Sequence, residues 1–276
     1  MLTLADASVY FDRTPVLSVT NGATLFYGQV DPYQDSVRDS ATTYRRILSV
    51  KPGTSMPANR LVKIHGSVWI IGESETDGMA VAHRDKYVLH PAATQLLVYR
   101  LANYLTPAVS FTSWGDMVWF KDGKEEASSS RAVPMYSAYL PLGTDLQEYD
   151  VIKVGARGYL VQPSHELASG VLSATCVRLD YDPAPATLGV RVYDPVQGKY
   201  TSSTASTVTC LRVRWQSLYL YGSQGEIKYQ EGDCSLVFPA GTNLATKDTV
   251  TLAGQGWSIL AVESLGGAVV AHARKA

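Results

Sequence analysis

A chain of 276 residues, 46% of them apolar, has enough material for two or three packed cores, and its 17 tyrosines favour strands over helices. A formal charge of −1, from 24 basic and 25 acidic residues, excludes a polybasic surface as the dominant feature, and with it tight non-specific binding to nucleic acid. The cysteines Cys176, Cys210 and Cys234 show no CxxC spacing and point to reduced, buried thiols in a protein made in a cytoplasm.

The opening Met1 to Asp6 has neither the basic region nor the apolar core of a signal peptide, and no apolar run in the chain is long enough to span a bilayer. Two β runs follow, Ser8-Val9-Tyr10-Phe11 and Ala23-Thr24-Leu25-Phe26-Tyr27, with Asn21-Gly22 supplying a turn between them. The stretch Asp31 to Arg45 is polar and without period. Pro91 to Leu101 reads either as a short helix or as the entry strand of a second unit. Later come a second polar stretch, Asp122 to Ala132, and a proline-rich linker, Tyr181 to Ala186. Val190 to Asp194 then opens a third unit, Thr201 to Ser206 reads as an exposed Ser/Thr-rich loop tip, and Gly222 to Gly232 is a third variable loop. Each variable loop follows an aromatic-rich strand: Leu25 to Tyr27, Met117 to Phe120, or Leu218 to Tyr221.

One block is written three times. Gly53-Thr54, Gly143-Thr144 and Gly241-Thr242 each leave a short apolar run, where glycine suits a positive φ. A polar segment and a four-residue strand follow, and the turn glycines Gly66, Gly155 and Gly254 return the chain to a strand opened by Trp69, Tyr159 or Trp257. In every copy the aromatic stands fifteen residues after the threonine. Closing strands are expected at Met79 to Arg84, Leu172 to Arg178 and Ala268 to Arg274, each ending on arginine. The expected architecture is all-β: three tandem small β-barrel or sandwich-like domains, SH3- or OB-like, arising by internal duplication over residues 1–92, 93–183 and 184–276.

Chemistry is sparse. His83 and His272 occupy matching places in the expected closing strands, but His65, His83, His90, His165 and His272 show no metal-ligand spacing, and no metal or cofactor is expected. Ser164-His165-Glu166 is suggestive only in composition, because neighbours in a loop do not make a triad. Gly254-Gln255-Gly256 is too short for a dinucleotide fingerprint. Glu125, Glu126 and Asp145 read as solvated loop charges rather than paired catalytic carboxylates, and Leu211 to Trp215 as a solvated face rather than an arginine platform for a polyanion. An enzyme is not expected.

The repeated block resembles the head–tail joining proteins of tailed bacteriophages, the connector stopper or head-completion family. The resemblance is carried by Asp248 to Ile259 with Gly267 to Val270, by Asp150 to Gly155 with Gly158 to Val161, and more loosely by the first copy, where Arg60 replaces the aspartate. It implies small barrels assembling into a homo-oligomeric ring between portal or adaptor and tail. DNA would pass without sequence-specific recognition, no membrane would be involved, and the protein would be built in the host cytoplasm and reside in the virion. Asp31, Tyr33, Arg38, Lys124, Glu125 and Glu126 are the candidate lumen or interface loop residues. The alternatives are a capsid decoration, a tail-tube or baseplate protein, or a module binding carbohydrate or peptide.

Overall fold

The computed structural model describes residues 14–32, 45–74, 84–105, 109–120, 135–168, 170–179, 181–214, 232–265 and 267–276. Among the described residues eighteen strands form three closed antiparallel barrels of six strands each. The first uses β1 (Thr14–Ser18), β2 (Thr24–Pro32), β3 (Arg46–Val50), β4 (Leu61–Ile64), β5 (Ser67–Ser74) and β6 (Asp85–Pro91). The second uses β7 (Thr94–Tyr99), β8 (Phe111–Phe120), β9 (Met135–Pro141), β10 (Val151–Val154), β11 (Arg157–Ala168) and β12 (Val171–Arg178). The third uses β13 (Ala184–Asp194), β14 (Lys199–Arg214), β15 (Cys234–Pro239), β16 (Thr249–Leu252), β17 (Gln255–Leu265) and β18 (Ala268–Lys275). The strand order is the same each time, β1-β2-β3-β6-β5-β4 in the first barrel and its counterparts in the others. The closing strand lies between the third and fifth, and the fourth returns to the first, which closes each barrel; in the third, the β13–β14 hairpin runs on past the closure, with Val190 to Asp194 laddered to Lys199 to Ser203.

Inward side chains fill each barrel separately. Val16, Leu48, Val50, Val62, Ile64, Ile71 and Leu89 form the first core. Leu96, Val98, Leu140, Ile152, Tyr159, Val161 and Cys176 belong to the second, and Leu188, Cys210, Leu236, Phe238, Val250, Trp257 and Ile259 to the third. Two further clusters lie between barrels. Leu61, Ile70 and Ala92 of the first meet Val171 of the second, with Trp114 and Tyr139 packed alongside. Leu101, Tyr149, Val151, Leu160 and Leu179 of the second meet Leu211, Val213, Val237, Ala268 and Val270 of the third. A turn glycine sits in each joint. A Cβ on Gly170 would lie 2.3 Å from the Glu73 nitrogen, and one on Gly267 would lie 3.2 Å from the Glu148 carbonyl.

Several expectations change in detail. Within Pro91 to Leu101, Pro91 ends β6, Thr94 to Tyr99 forms strand β7 and Leu101 starts a 3-10 turn, Leu101–Asn103. The strand before Asn21-Gly22 is β1, while Ser8 to Phe11 lies outside the described residues. The strand that closes the first barrel is β6, while Met79 to His83 of the expected closing strand lies outside the described residues. Strand β6 follows Arg84 and ends on Pro91, so the arginine ending holds for Arg178 and, one place from the end of β18, for Arg274. The third barrel begins at Ala184, inside the expected linker and six residues before Val190. Thr201 to Ser206 lies within β14. The hairpin tip is instead Pro195 to Gly198, where Asp194 Oδ1 accepts the N–H groups of Val196 (2.8 Å) and Gln197 (3.2 Å) and Gly198 takes φ +63°. Threonine is β-branched and suits a pleated ladder, whereas the turn chemistry belongs to Asp, Pro and Gly. Leu218 to Tyr221 lies outside the described residues.

Candidate functional site

The repeated signature is architectural. In every copy the glycine has positive φ (Gly53 +76°, Gly143 +86°, Gly241 +79°) and the threonine closes the corner. Thr54, Thr144 and Thr242 donate their N–H (3.2, 3.1 and 3.2 Å) and their hydroxyl (2.7 Å each) to the carbonyls of Lys51, Pro141 and Pro239. The next turn is a two-residue hairpin bounded by Ile64 and Ser67, Val154 and Arg157, or Leu252 and Gln255. Its central residues are both left-handed at His65-Gly66 (+49°, +84°) and Ala253-Gly254 (+50°, +77°), while Gly155 (+58°) stands one place earlier in its turn. Trp69, Tyr159 and Trp257 are therefore third in their strands rather than first, because the hairpin pairing begins immediately after the turn. Each has its own ring partner: Arg46 lies 6.0 Å from the Trp69 ring, Tyr136 meets Tyr159 edge-on at 4.9 Å, and Arg212 lies 5.7 Å from Trp257.

The second barrel adds a polar cleft to this corner. It encloses about 570 Å³ and is lined by Arg100, Ser110, Phe111, Thr112, Ser113, Thr144 and Asp145. Thr144 and Asp145 of the Gly-Thr corner supply one wall, and Ser110 with the start of β8 supplies the other. Arg100 crosses the floor. Its Nη1 donates to Asp150 Oδ2 (2.6 Å) and its Nη2 to Asp145 Oδ2 (2.6 Å) and the Asp145 carbonyl (2.8 Å), with the guanidinium 5.8 Å from the Phe111 ring. Asp150 is almost wholly buried, and burial raises its pKa even though the Gln147 N–H and Arg100 hold it down. Because the arginine fork is engaged by two carboxylates, the cleft does not offer an anion a bidentate site. An aromatic face, an exposed carboxylate and a rim of hydroxyls suit a neutral, hydroxyl-rich ligand instead. Sequence reading missed this cleft. Asp150 and Asp145 stand 50 and 45 residues from Arg100, and only the aspartate shared with Asp248 at the same place in the repeat hinted at a role.

The other candidates disperse. Asp31 ends up in β2, where its Oδ1 accepts the Gln29 amide at 3.0 Å, while Tyr33, Arg38, Lys124, Glu125 and Glu126 lie outside the described residues. Ser164, His165 and Glu166 are consecutive residues of β11, not a loop. His83 lies outside the described residues. It also precedes β6, so the partner of His272 by register in the first barrel is Val88, facing Ile47 as His272 faces Ser235. Over Leu211 to Val213 the strand is not a solvated face, and Trp215 lies outside the described residues. Leu211 and Val213 pack on the second barrel, while Arg212 stacks over Tyr181 with its guanidinium carbon 3.4 Å from the ring centroid. Gly254-Gln255-Gly256 forms the β16–β17 hairpin. The three cysteines are free and buried, and burial lifts Cys176 and Cys234 to about 12 and Cys210 higher still, which leaves them unreactive thiols. Among the described residues no group of His, Cys, Asp and Glu is placed to hold a metal ion, and no helix is long and apolar enough to cross a membrane. No protein-family model matches the chain, and neither does any curated protein or any solved structure.

Proposed function

We propose that this chain is a structural protein of a tailed-bacteriophage virion, a neck component that forms a homo-oligomeric ring between portal and tail and helps retain DNA. The supporting observation is the arrangement of three closed barrels on one plan, packed in series through apolar joints. In each, the longest connection leaves from the same place, between the second and third strands: residues 33–45, 121–134 and 215–233. Three equivalent connections give three places at which one chain reaches its neighbours or a channel. A net charge near zero suits a surface past which DNA slides rather than one that grips it. On this reading the candidate loop residues, Tyr33, Arg38, Lys124, Glu125 and Glu126 with Asp31 at the base, face the lumen or the adjoining ring.

The test is negative-stain microscopy of the purified chain, with mass from light scattering, alone and mixed with tailless capsids of a phage that encodes it. A closed ring with a central hole, or capsids decorated at the portal vertex, is the expected result. A chain that stays single and leaves the portal vertex bare overturns the proposal.

The Arg100 cleft favours a second reading, a carbohydrate-binding module, since Phe111, Asp145 and the surrounding hydroxyls are the groups a sugar uses. Glycan binding lost on Phe111→Ala, together with a bare portal vertex, would select it.

A further inference from the structure

Each barrel pairs its first strand with its second, but the pairing runs to different lengths. Strand β1 meets β2 over four rungs, Thr14 to Leu17, and β7 meets β8 over five, Thr94 to Val98. Strand β13 meets β14 over ten, from Ala184 opposite Cys210 to Asp194 opposite Lys199. The three ladders start at the same place, since Thr14, Thr94 and Ala184 face Gly28, Gly115 and Cys210. A barrel on this plan therefore closes with four or five rungs. The third carries five that closure does not use, Val190 to Asp194 against Lys199 to Ser203. At about 3.4 Å per residue they form an arm about 17 Å long, before its turn.

The arm leaves the barrel at a marked point. The register slips between Thr187 and Gly189, and a bulge of this kind bends a ribbon. The last rung to β16 is Gly189 opposite Thr249, where a Cβ on Gly189 would lie 2.4 Å from Thr249 Oγ1. Glycine lets the two strands pass that closely. Beyond it both edges of the arm are open. Among the described residues β16 follows β13 no further than Gly189, and β15 pairs with β14 only from Leu211 to Arg214. Edges that remain in water are commonly blunted by charge or proline, yet β14 from Tyr200 to Leu211 contains neither. At the tip Val196 is 93% exposed. A two-stranded ribbon on its own is marginal in water.

We infer that this arm joins copies of the chain: the β14 edge of one arm pairs with the β13 edge of the next, antiparallel, around a ring. The occupant follows from the arm itself. Its two strands run in opposite directions and leave equal lengths open, five residues each. Rotation about an axis along the arms sets each β14 beside a neighbour's β13 in antiparallel sense, so every arm supplies the edge that its neighbour lacks. A two-fold contact would join β14 to β14 and leave both β13 edges in water, and a single foreign strand would fill one side only. Head-to-tail pairing uses every edge and, once closed, leaves none. Attachment by main-chain bonds asks little of the side chains, which accounts for a run as plain as Thr201-Ser202-Ser203-Thr204. The inference rests on the homo-oligomeric ring proposed above, but not on its place in a virion.

Cross-linking of the full chain tests which edges meet. Arg191 and Ser202 are partners across the arm, one on each strand. Chains carrying Arg191→Cys and chains carrying Ser202→Cys, with different tags, are co-expressed and treated with a short bis-maleimide. Cys176, Cys210 and Cys234 are buried and stay silent. Adducts that join the two kinds of chain should dominate, with like-to-like adducts at background. Dominant like-to-like adducts would reveal a two-fold contact, and an assembled sample without adducts would place the arm outside the interface; either result overturns the inference. A second variant replaces residues 190–203 by Asn-Gly, which leaves the third barrel a hairpin nearly as short as that of the first. By light scattering it should stay single at concentrations at least about tenfold above those at which the unaltered chain assembles. Rings formed by the shortened chain would sink this inference and spare the ring itself, whereas an unaltered chain that stays single would sink both.

Discussion

Arg60 stands three residues after Pro57, and its N–H bonds to the Pro57 carbonyl at 2.9 Å. In the other two barrels the same bond, from Asp150 to Gln147 and from Asp248 to Ala245, is answered by a second: the aspartate Oδ2 accepts the N–H of Gln147 or Ala245 at 2.8 Å. Proline has no N–H. Where the chain loses the carboxylate it has also lost the donor that the carboxylate satisfies, so no buried N–H is orphaned. The looser first copy is therefore a paired change, arginine for aspartate and proline for the residue that aspartate serves.

That pairing predicts an asymmetry. Asp248→Ala leaves the Ala245 N–H without its acceptor and should lower stability by about 1–2 kcal/mol, as losing a helix cap of the same chemistry does. Arg60→Asp, facing a proline, should change it by less than about 0.5 kcal/mol. Urea unfolding midpoints of the two variants decide the matter, and equal losses would contradict the account.

Ala253 holds φ +50° at the first central position of the β16–β17 hairpin, where the turn requires a left-handed residue and alanine carries a Cβ penalty. Ala253→Asn should stabilise the third barrel by about 0.5–1 kcal/mol, because asparagine tolerates this region. A gain from Ala253→Asn with a loss from Gly254→Ala would confirm that backbone conformation, not side-chain contact, sets the preference. No Cβ contact within 4 Å is found at Gly254 to confuse the comparison.

What the sequence made legible was local. Gly-Thr corners, two-residue hairpins and the fifteen-residue spacing follow from φ > 0 at glycine and from strand length, and these were enough to place three barrels. The choice of partner was not legible. That Asp85 to Pro91 closes the first barrel follows from its pairing with β3, through Leu48 and Tyr87 and their neighbours, a decision made between distant residues. Leu61, Ile70, Val151 and Leu160 read as parts of ordinary apolar strands, since a face buried by a neighbouring barrel looks in one dimension like a face buried in its own core. The Arg100 cleft was hidden for the same reason.

Gly143 and Gly170 both have positive φ, +86° and +75°, but they differ in what surrounds them. A Cβ on Gly143 meets nothing within 4 Å, whereas one on Gly170 collides with the backbone of Gly72 and Glu73 across the first joint. Gly143→Ala should therefore cost about 1 kcal/mol of conformational strain and leave unfolding in one transition. Gly170→Ala should pry the first two barrels apart, exposing Ile70 and Val171 and splitting the calorimetric transition. A single unshifted transition for Gly170→Ala would show that the joint yields without loss.

His272 is 3% exposed on β18, between Ser235 of β15 and Ala261 of β17, with Glu263 and Asp233 the charged groups acting on it. Burial lowers its pKa below the ordinary histidine value of 6.5, more than the two carboxylates raise it. The unfolded chain then binds a proton more readily than the folded one as pH falls past about 6.5, so this residue's contribution is fully present above that value and is lost on acidification through the folded pKa. The dependence cannot exceed about 1.4 kcal/mol per pH unit for one group. His272→Thr, the residue that the second barrel carries at this register in Thr175 opposite Ser137, removes the titration. Between pH 7.5 and 5.5 the urea midpoint of the unaltered chain should fall further than that of His272→Thr. Other groups shifted by burial, Asp116 and Asp150 among them, are common to both proteins and cancel in the difference. Parallel midpoints would mean that His272 takes up its proton inside the barrel as easily as in water, and the burial argument would fall.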